Sequence, residues 1–257
     1  MTALLEHLLA ARADHKLLVP YLMAGIPDRP GYPAALAAVG EVADAVEVGI
    51  PFSDPLMDGP VIAAAAERAI RLGVGPLEAL DASAAVPGDV PRLAMTYYNP
   101  VHAVGEEEFC RRAAKCGFSG LIVPDLPIEE SGSLRAAAAE SELAWVPLVA
   151  PTTPPPRVQR IAGTATGFVY AVSTLGVTGV RESLSERAGP VVDRCREVTD
   201  LPVLVGIGVS TPQQAVEAAG ISDGVVIGSA VVSRILEEGP QAAGTFVAEV
   251  RAALDSV

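Results

Sequence analysis

The chain reads as an α/β protein of eight repeated strand–helix units with an extra helix in front. Three observations predict this. Short apolar runs of strand length recur along the chain, each followed by a loop and an Ala-rich helical pattern. The runs are apolar on both faces, as in a parallel sheet covered by helices. Eight such units within 257 residues match a closed (β/α)8, or TIM, barrel, expected to form a single domain spanning residues 1–257. An open doubly wound sheet would carry its Gly-rich phosphate turn after the first strand. The segment there, "AGIPDRPG", lacks the GxGxxG spacing.

The first helical pattern, Ala3 to Ala13, precedes every strand. The expected strands are Leu17–Met23, Asp44–Gly49, Arg92–Tyr98, Gly120–Pro124, Ala144–Ala150, Gly167–Ser173, Pro202–Gly208 and Asp223–Gly228. Between them the pattern predicts helices at Tyr32–Val42, Val61–Leu72, Glu106–Lys115, Ser131–Glu140, Pro155–Ala162, Ser185–Val198 and Pro212–Ala219, with Gln241–Leu254 closing the chain. "PTTPPP" reads as a stiff loop inside one unit.

A net charge of −13 argues against nucleic acid or an anionic membrane as partner. It leaves room for one small phosphorylated ligand held by backbone N–H groups. The N-terminus lacks a signal peptide's basic start and unbroken apolar centre. The uncharged run Ile161–Val180 is interrupted by glycines and reads as barrel, not membrane span. Cys110, Cys116 and Cys195 have no metal-ligand spacing and suit thiols in a reducing cytoplasm, the expected location. His7, His15 and His102 are scattered, so no metal is expected.

Barrel active sites lie at the C-terminal strand ends, often with phosphate after strands 7 and 8. Glycines cluster there: "GIGVSTP" (Gly206–Pro212) and "IGSAVV" (Ile227–Val232), the second running into a short helix. Gly208, Gly228 and Ser229 are candidates for holding phosphate, because glycine admits close approach and a helix N-terminus offers free N–H groups. The loop "STLGVTGVRESLSERAG" (Ser173–Gly189) reads as a lid, and its Gly179 could add one more N–H.

The stretch "EVGIPFSDPLMDGP" places Glu47, Asp54 and Asp58 among apolar residues. With Val46 and Val48 packed against helices, Glu47 points into the barrel mouth. An acid among valines at a strand end has no routine structural task. Asp58, just before a helix, could cap it, and Asp54 in "SDP" could form an Asx turn. Two carboxylates facing one cavity can divide acid and base work when their surroundings separate their pKa values. Glu47, in the more apolar setting, is the better proton shuttle; Asp58 is the one to stay ionised beside a developing positive charge.

"GIPFSDPLMDGP" closely resembles the signature of the tryptophan synthase alpha chain family. So do "YYNPV" (Tyr97–Val101), "LIVPDLPIEE" (Leu121–Glu130), "STLGVTG", "GIGVSTPQQ" and "GVVIGSAVV", in order along nearly the whole chain. The resemblance implies a barrel lyase that cleaves indole-3-glycerol phosphate to indole and glyceraldehyde 3-phosphate by a retro-aldol reaction, a step of tryptophan biosynthesis. Glu47 matches the family's catalytic acid/base and Asp58 its second catalytic carboxylate, which holds the indole N–H. Tyr170 matches a pocket tyrosine and Thr178 a lid threonine, while Tyr21, Tyr97 and Ile207 match positions lining the indole pocket. Gly179, Gly208, Gly228 and Ser229 match the phosphate binders.

The resemblance also implies a beta subunit partner, in an alpha-beta-beta-alpha heterotetramer, with Pro51, Asp54 and Asn99 where the two meet. Pyridoxal phosphate is expected only in that partner, and no cofactor in this chain. The sequence departs from the family's usual pattern at Met23, Ile26, Met57 and Ala63, near the loops that face the partner. A free-standing lyase that releases indole, and a non-catalytic subunit that only senses ligand, are the alternative readings.

Overall fold

The computed structural model describes residues 1–172, 184–206 and 208–256. The sheet consists of β1 (Leu17–Met23), β2 (Val46–Gly49), β3 (Arg92–Met95), β4 (Phe118–Ile122), β5 (Ala144–Trp145), β6 (Leu148–Val149), β7 (Val169–Val172), β8 (Val203–Gly206) and β9 (Gly224–Ile227). Every neighbouring pair is parallel, in the order β5-β4-β3-β2-β1-β9-β8-β7-β6. The two ends of that order are the two halves of one short stretch, so the sheet closes on itself. Val146 N–H donates to Leu121 O on one side (3.0 Å), and Tyr170 N–H donates to Pro147 O on the other (3.0 Å). The expected fifth strand, Ala144–Ala150, is thus two short pieces. Pro147 has no N–H to give the ladder, and the chain passes from one neighbour to the other around it.

The helices are α1 (Ala3–Asp14), α2 (Tyr32–Gly40), α3 (Pro60–Arg71), α4 (Pro76–Ala84), α5 (Tyr98–Val104), α6 (Glu106–Lys115), α7 (Gly132–Glu140), α8 (Pro155–Ala162), α9 (Leu184–Arg196), α10 (Pro212–Ile221), α11 (Ser229–Glu237) and α12 (Pro240–Leu254). Two of them, α4 and α5, lie outside the helical patterns expected from sequence. The first begins at Gly75-Pro76, with proline at the opening position where its missing N–H costs nothing. The second cuts short the third strand, which ends at Met95 instead of Tyr98. Tyr97 is extended, and Tyr98 N–H then turns to the Asp125 carboxylate (2.9 Å). Among the described residues no helix is long and apolar enough to cross a membrane.

Alternation along each strand divides the core in two. One set of side chains packs between sheet and helices, including Leu18, Leu22, Val46, Val48, Ala94, Leu121, Val203 and Val205. The other fills the barrel interior: Leu17, Val19, Ala45, Leu93, Ala144, Val146, Phe168, Tyr170, Leu204 and Val226. Leu4 and Leu8 of α1 belong to this inner set, so the leading helix stoppers the floor of the barrel. Thr2 fixes its start, accepting from Leu5 N–H and donating to Thr166 O. Asp44, at the foot of β2, accepts from Leu18 N–H at 2.7 Å, with His15 Nε2 at 2.7 Å and Arg251 Nη1 at 3.4 Å. One buried carboxylate therefore ties the α1–β1 link, β2 and α12 together beneath the site.

Candidate active site

Glu47 stands between Val46 and Val48, which pack into the helical layer, and above Ala45, which packs inside. Period-two alternation therefore turns Glu47 inward. It is 4% exposed and pairs in register with Tyr21 on β1 and Leu93 on β3. Burial, then the nearby Asp58 carboxylate, pushes its pKa up from 4.5 to about 8. Burial also raises Asp58, from 3.8 to about 6, against a hydrogen bond from Tyr97 that pulls it down. At neutral pH Glu47 thus carries a proton while Asp58 is ionised.

The 51–58 segment is held from the neighbouring unit. The Tyr97 hydroxyl accepts from Met57 N–H (2.9 Å) and hydrogen-bonds the Asp58 carboxylate, and its ring lies 5.4 Å from that of Phe52. This clamp spans forty residues of sequence and is not legible in it. Asp58 N–H donates to Pro55 O (3.1 Å), and Ser53 Oγ donates to the Asp54 carboxylate (2.5 Å).

Two glycines shape the cavity, and sequence reasoning missed the part of each. A Cβ on Gly49 would lie 2.0 Å from the Tyr21 hydroxyl, and one on Gly206 would lie 2.1 Å from the Tyr170 hydroxyl. Each tyrosine leans from its own strand into the notch left by a glycine on the next. A glycine inside a strand is the signal for such close approach, and both Gly49 and Gly206 end a strand. Tyr21 and Tyr170 are both buried and are held neutral first by burial and then by the two carboxylates they face.

At the opposite rim, Gly208 adopts φ 94°, a conformation that favours glycine. Gly228 precedes α11, and Ser229 is its first residue and exposed. In that first turn Val231 N–H donates to Gly228 O (2.9 Å), which leaves the N–H groups of Ser229 and Ala230 without a partner in the helix, at the positive end of its dipole. The side chain of Tyr21 connects the two rims. Its Cβ would lie 3.8 Å from a Cβ on Gly228, and its hydroxyl reaches Gly49.

Thr178, Gly179 and Ile207 lie outside the described residues, as does most of the expected lid, Ser173–Gly189. Of the positions expected to meet a partner, Asp54 and Asn99 are exposed, while Pro51 is buried and shapes the loop from within. Met23 and Ile26 are buried too, so these departures from the family pattern fill the core. Met57 differs: it is 52% exposed beside Leu56, at 89%. Among the described residues no group of three or more His, Cys, Asp or Glu could hold a metal ion.

A parallel barrel with two unlike carboxylates in its C-terminal mouth is the frame of an enzyme that works by moving protons. Within that class, a family model described as tryptophan synthase alpha chain matches residues 9–255. The tryptophan synthase alpha chain of Carboxydothermus hydrogenoformans is 45% identical over 225 residues, covering 86% of this chain and 84% of its own length. That of Streptomyces avermitilis is 45% identical over 243 residues, covering 93% and 88%. Among solved structures, tryptophan synthase from M. tuberculosis, in its aminoacrylate- and BRD0059-bound form, superposes with a TM-score of 0.90 at 38% identity over 98% of each chain. The alpha subunit from Legionella pneumophila superposes with a TM-score of 0.91 at 29% identity over the whole of both chains. The chain belongs to the tryptophan synthase alpha chain family.

Proposed function

We propose that this chain, a single barrel domain, cleaves indole-3-glycerol phosphate to indole and glyceraldehyde 3-phosphate, with Glu47 and Asp58 as its catalytic residues. The observation that carries the reading is the pair itself: an inward Glu47 raised to about 8 beside an Asp58 raised to about 6. The protonated Glu47 gives its proton to indole C3, and the ring becomes a cation centred on N1. Asp58, ionised, accepts the N1–H bond and offsets that charge. Glu47, now a carboxylate, takes the proton of the glycerol hydroxyl next to the C–C bond. That bond breaks, its electrons return to the ring, and the aldehyde forms. Glu47 ends protonated, ready for another turnover, and the reaction needs no net proton. None of these steps calls on a cofactor.

Tyr21, Tyr97 and Tyr170 line the space for the indole, together with Ile207, and Thr178 belongs to the lid. Gly228, Ser229 and Gly208 hold the phosphate, assisted by Gly179. The exposed Leu56 and Met57, with Asp54 and Asn99 nearby, form a face for a beta subunit. That subunit, in an alpha-beta-beta-alpha assembly, would carry the pyridoxal phosphate. The chain acts in the cytoplasm.

The pair dictates a bell-shaped pH dependence of kcat/KM. Below about 6 Asp58 gains a proton and loses the charge that steadies the ring cation. Above about 8 Glu47 loses the proton it must donate. Initial rates of indole release across a pH range from about 5 to about 10 check this; a profile flat through pH ~8 removes Glu47 as the acid.

The phosphate assignment has its own test. Ser229→Asp puts a carboxylate where the phosphate belongs, at a helix start where an acidic side chain does not disturb the helix itself. Affinity for indole-3-glycerol phosphate should fall by about tenfold or more, since one unfavourable contact of about 1.4 kcal/mol is already tenfold. Calorimetric titration reads it, and an unchanged Kd excludes Ser229 from the site.

A further inference from the structure

The proposed reaction gives the hydroxyl of Tyr21 no task. The ring serves as a pocket wall, but a wall needs no hydroxyl. Three other tyrosines use theirs: Tyr32 bonds Ser83 Oγ (2.6 Å), Tyr97 takes Met57 N–H (2.9 Å) and Tyr98 donates to the Glu106 carboxylate (2.9 Å). Tyr21 is 3% exposed, and its hydroxyl has no hydrogen-bond partner among the described residues. Buried polar atoms are nearly always paired, so one left open inside a site points to a partner that arrives later.

Its placement says which partner. Tyr21 and Glu47 face each other in register on adjacent strands, and the Tyr21 hydroxyl occupies the notch at Gly49, two residues beyond Glu47 on the same inward face. The groups facing Glu47 are Tyr21 from β1, Asp58 from the loop after β2 and Tyr170 from β7, with Tyr97 beyond Asp58. These described residues are all acids or neutral hydroxyls, with no cation among them. When Glu47 gives up its proton, a second negative charge appears beside Asp58. A hydroxyl donor is the one kind of group in this set that can answer it.

We propose that Tyr21 is a positioning residue for Glu47, its hydroxyl standing idle while Glu47 holds the proton and donating a hydrogen bond to the carboxylate once that proton has gone to the substrate. The inference rests on Glu47 being the proton shuttle. Because the bond forms only after proton transfer, it lowers the barrier without tightening substrate binding. It also fixes which way the carboxylate faces for the return transfer.

The experiment is the full chain carrying Tyr21→Phe, which fills the same space, assayed for indole-3-glycerol phosphate cleavage from pH ~5 to ~10 beside the native chain and Glu47→Gln. We expect kcat to fall about tenfold and KM to stay within about twofold, as for an interaction absent from the ground state. The alkaline limb should move up by about one unit, because the carboxylate has lost its donor. A carboxyl ¹³C titration of Glu47 in the resting chain should show the same upward displacement, with no reliance on turnover. An unmoved limb and titration overturn the proposal, as does a raised KM with an unmoved limb, which would assign the hydroxyl to the substrate. If Glu47→Gln turns over normally, the proposed function fails; if it is inactive and Tyr21→Phe moves nothing, only this inference fails.

Discussion

The Glu47→Gln chain is expected to bind indole-3-glycerol phosphate within several-fold of native affinity and to cleave it about 10²–10⁴ times more slowly, the usual contribution of a positioned acid or base. The upper end applies, because one group serves both proton transfers. Glutamine keeps the shape and can hydrogen-bond, but it has no proton to lend at C3 and cannot accept one from the glycerol hydroxyl. Single-turnover indole release measures the loss, and turnover near the native rate would show that another group moves the proton.

The same substitution should make the protein more stable in mild alkali. Glu47's folded-state pKa, about 8, lies above its ordinary 4.5, so the folded chain holds this proton more tightly than the unfolded one. The stability linked to it is complete below about 4.5 and is lost as pH rises through 8. Glutamine removes that loss. At about 1.4 kcal/mol per pKa unit, and about 2–4 °C of Tm per kcal/mol for a chain of this size, the rise from 4.5 to about 8 implies a gain on the order of 10 °C at pH ~8.5. It should vanish near pH ~4. A catalyst that resists unfolding better once its acid is removed is one whose site is held at a cost to the fold.

Asp58→Asn is the second large effect. The amide oxygen can still accept the indole N–H, and Tyr97 can still donate to it, so the 51–58 loop keeps its clamp. The charge is gone, and with it the group that opposes the ring cation. A loss of about 10²–10³ in kcat is expected, the scale seen when one preorganised electrostatic contact is removed. Asp58 is also a cause of Glu47's raised pKa, so in Asp58→Asn Glu47 should titrate lower than about 8. A carboxyl ¹³C titration of the variant tests this without turnover. If Glu47 is unmoved, the two acids do not share one field.

The candidate site's inward acid is readable from local pattern. Val46 and Val48 on either side of Glu47 determine which way it faces, and strand alternation is a rule of immediate neighbours. The glycines ahead of α11 likewise announce an open helix start within a few residues. What escapes such a reading is set by contacts far apart in sequence. The clamp from Tyr97 to Met57 and Asp58 joins residues in different units. The pairing of Tyr21 with Gly49 and of Tyr170 with Gly206 depends on which strands become neighbours and in what register. The broken fifth strand is an intermediate case. Pro147 is visible as a missing donor, but only closure of the sheet shows that the chain uses the gap to change neighbours.

Leu4 and Leu8 plug the cylinder from below, and that makes its interior a cul-de-sac. Whatever reaches Glu47 arrives by the opposite mouth, which among the described residues is bordered in part by the 51–58 loop and the start of α11, and both fragments of the cleaved molecule leave by that mouth. Occupying Leu56 and Met57 would therefore throttle delivery and clearance together, so a protein docked there could set the pace of the whole cycle without touching either acid.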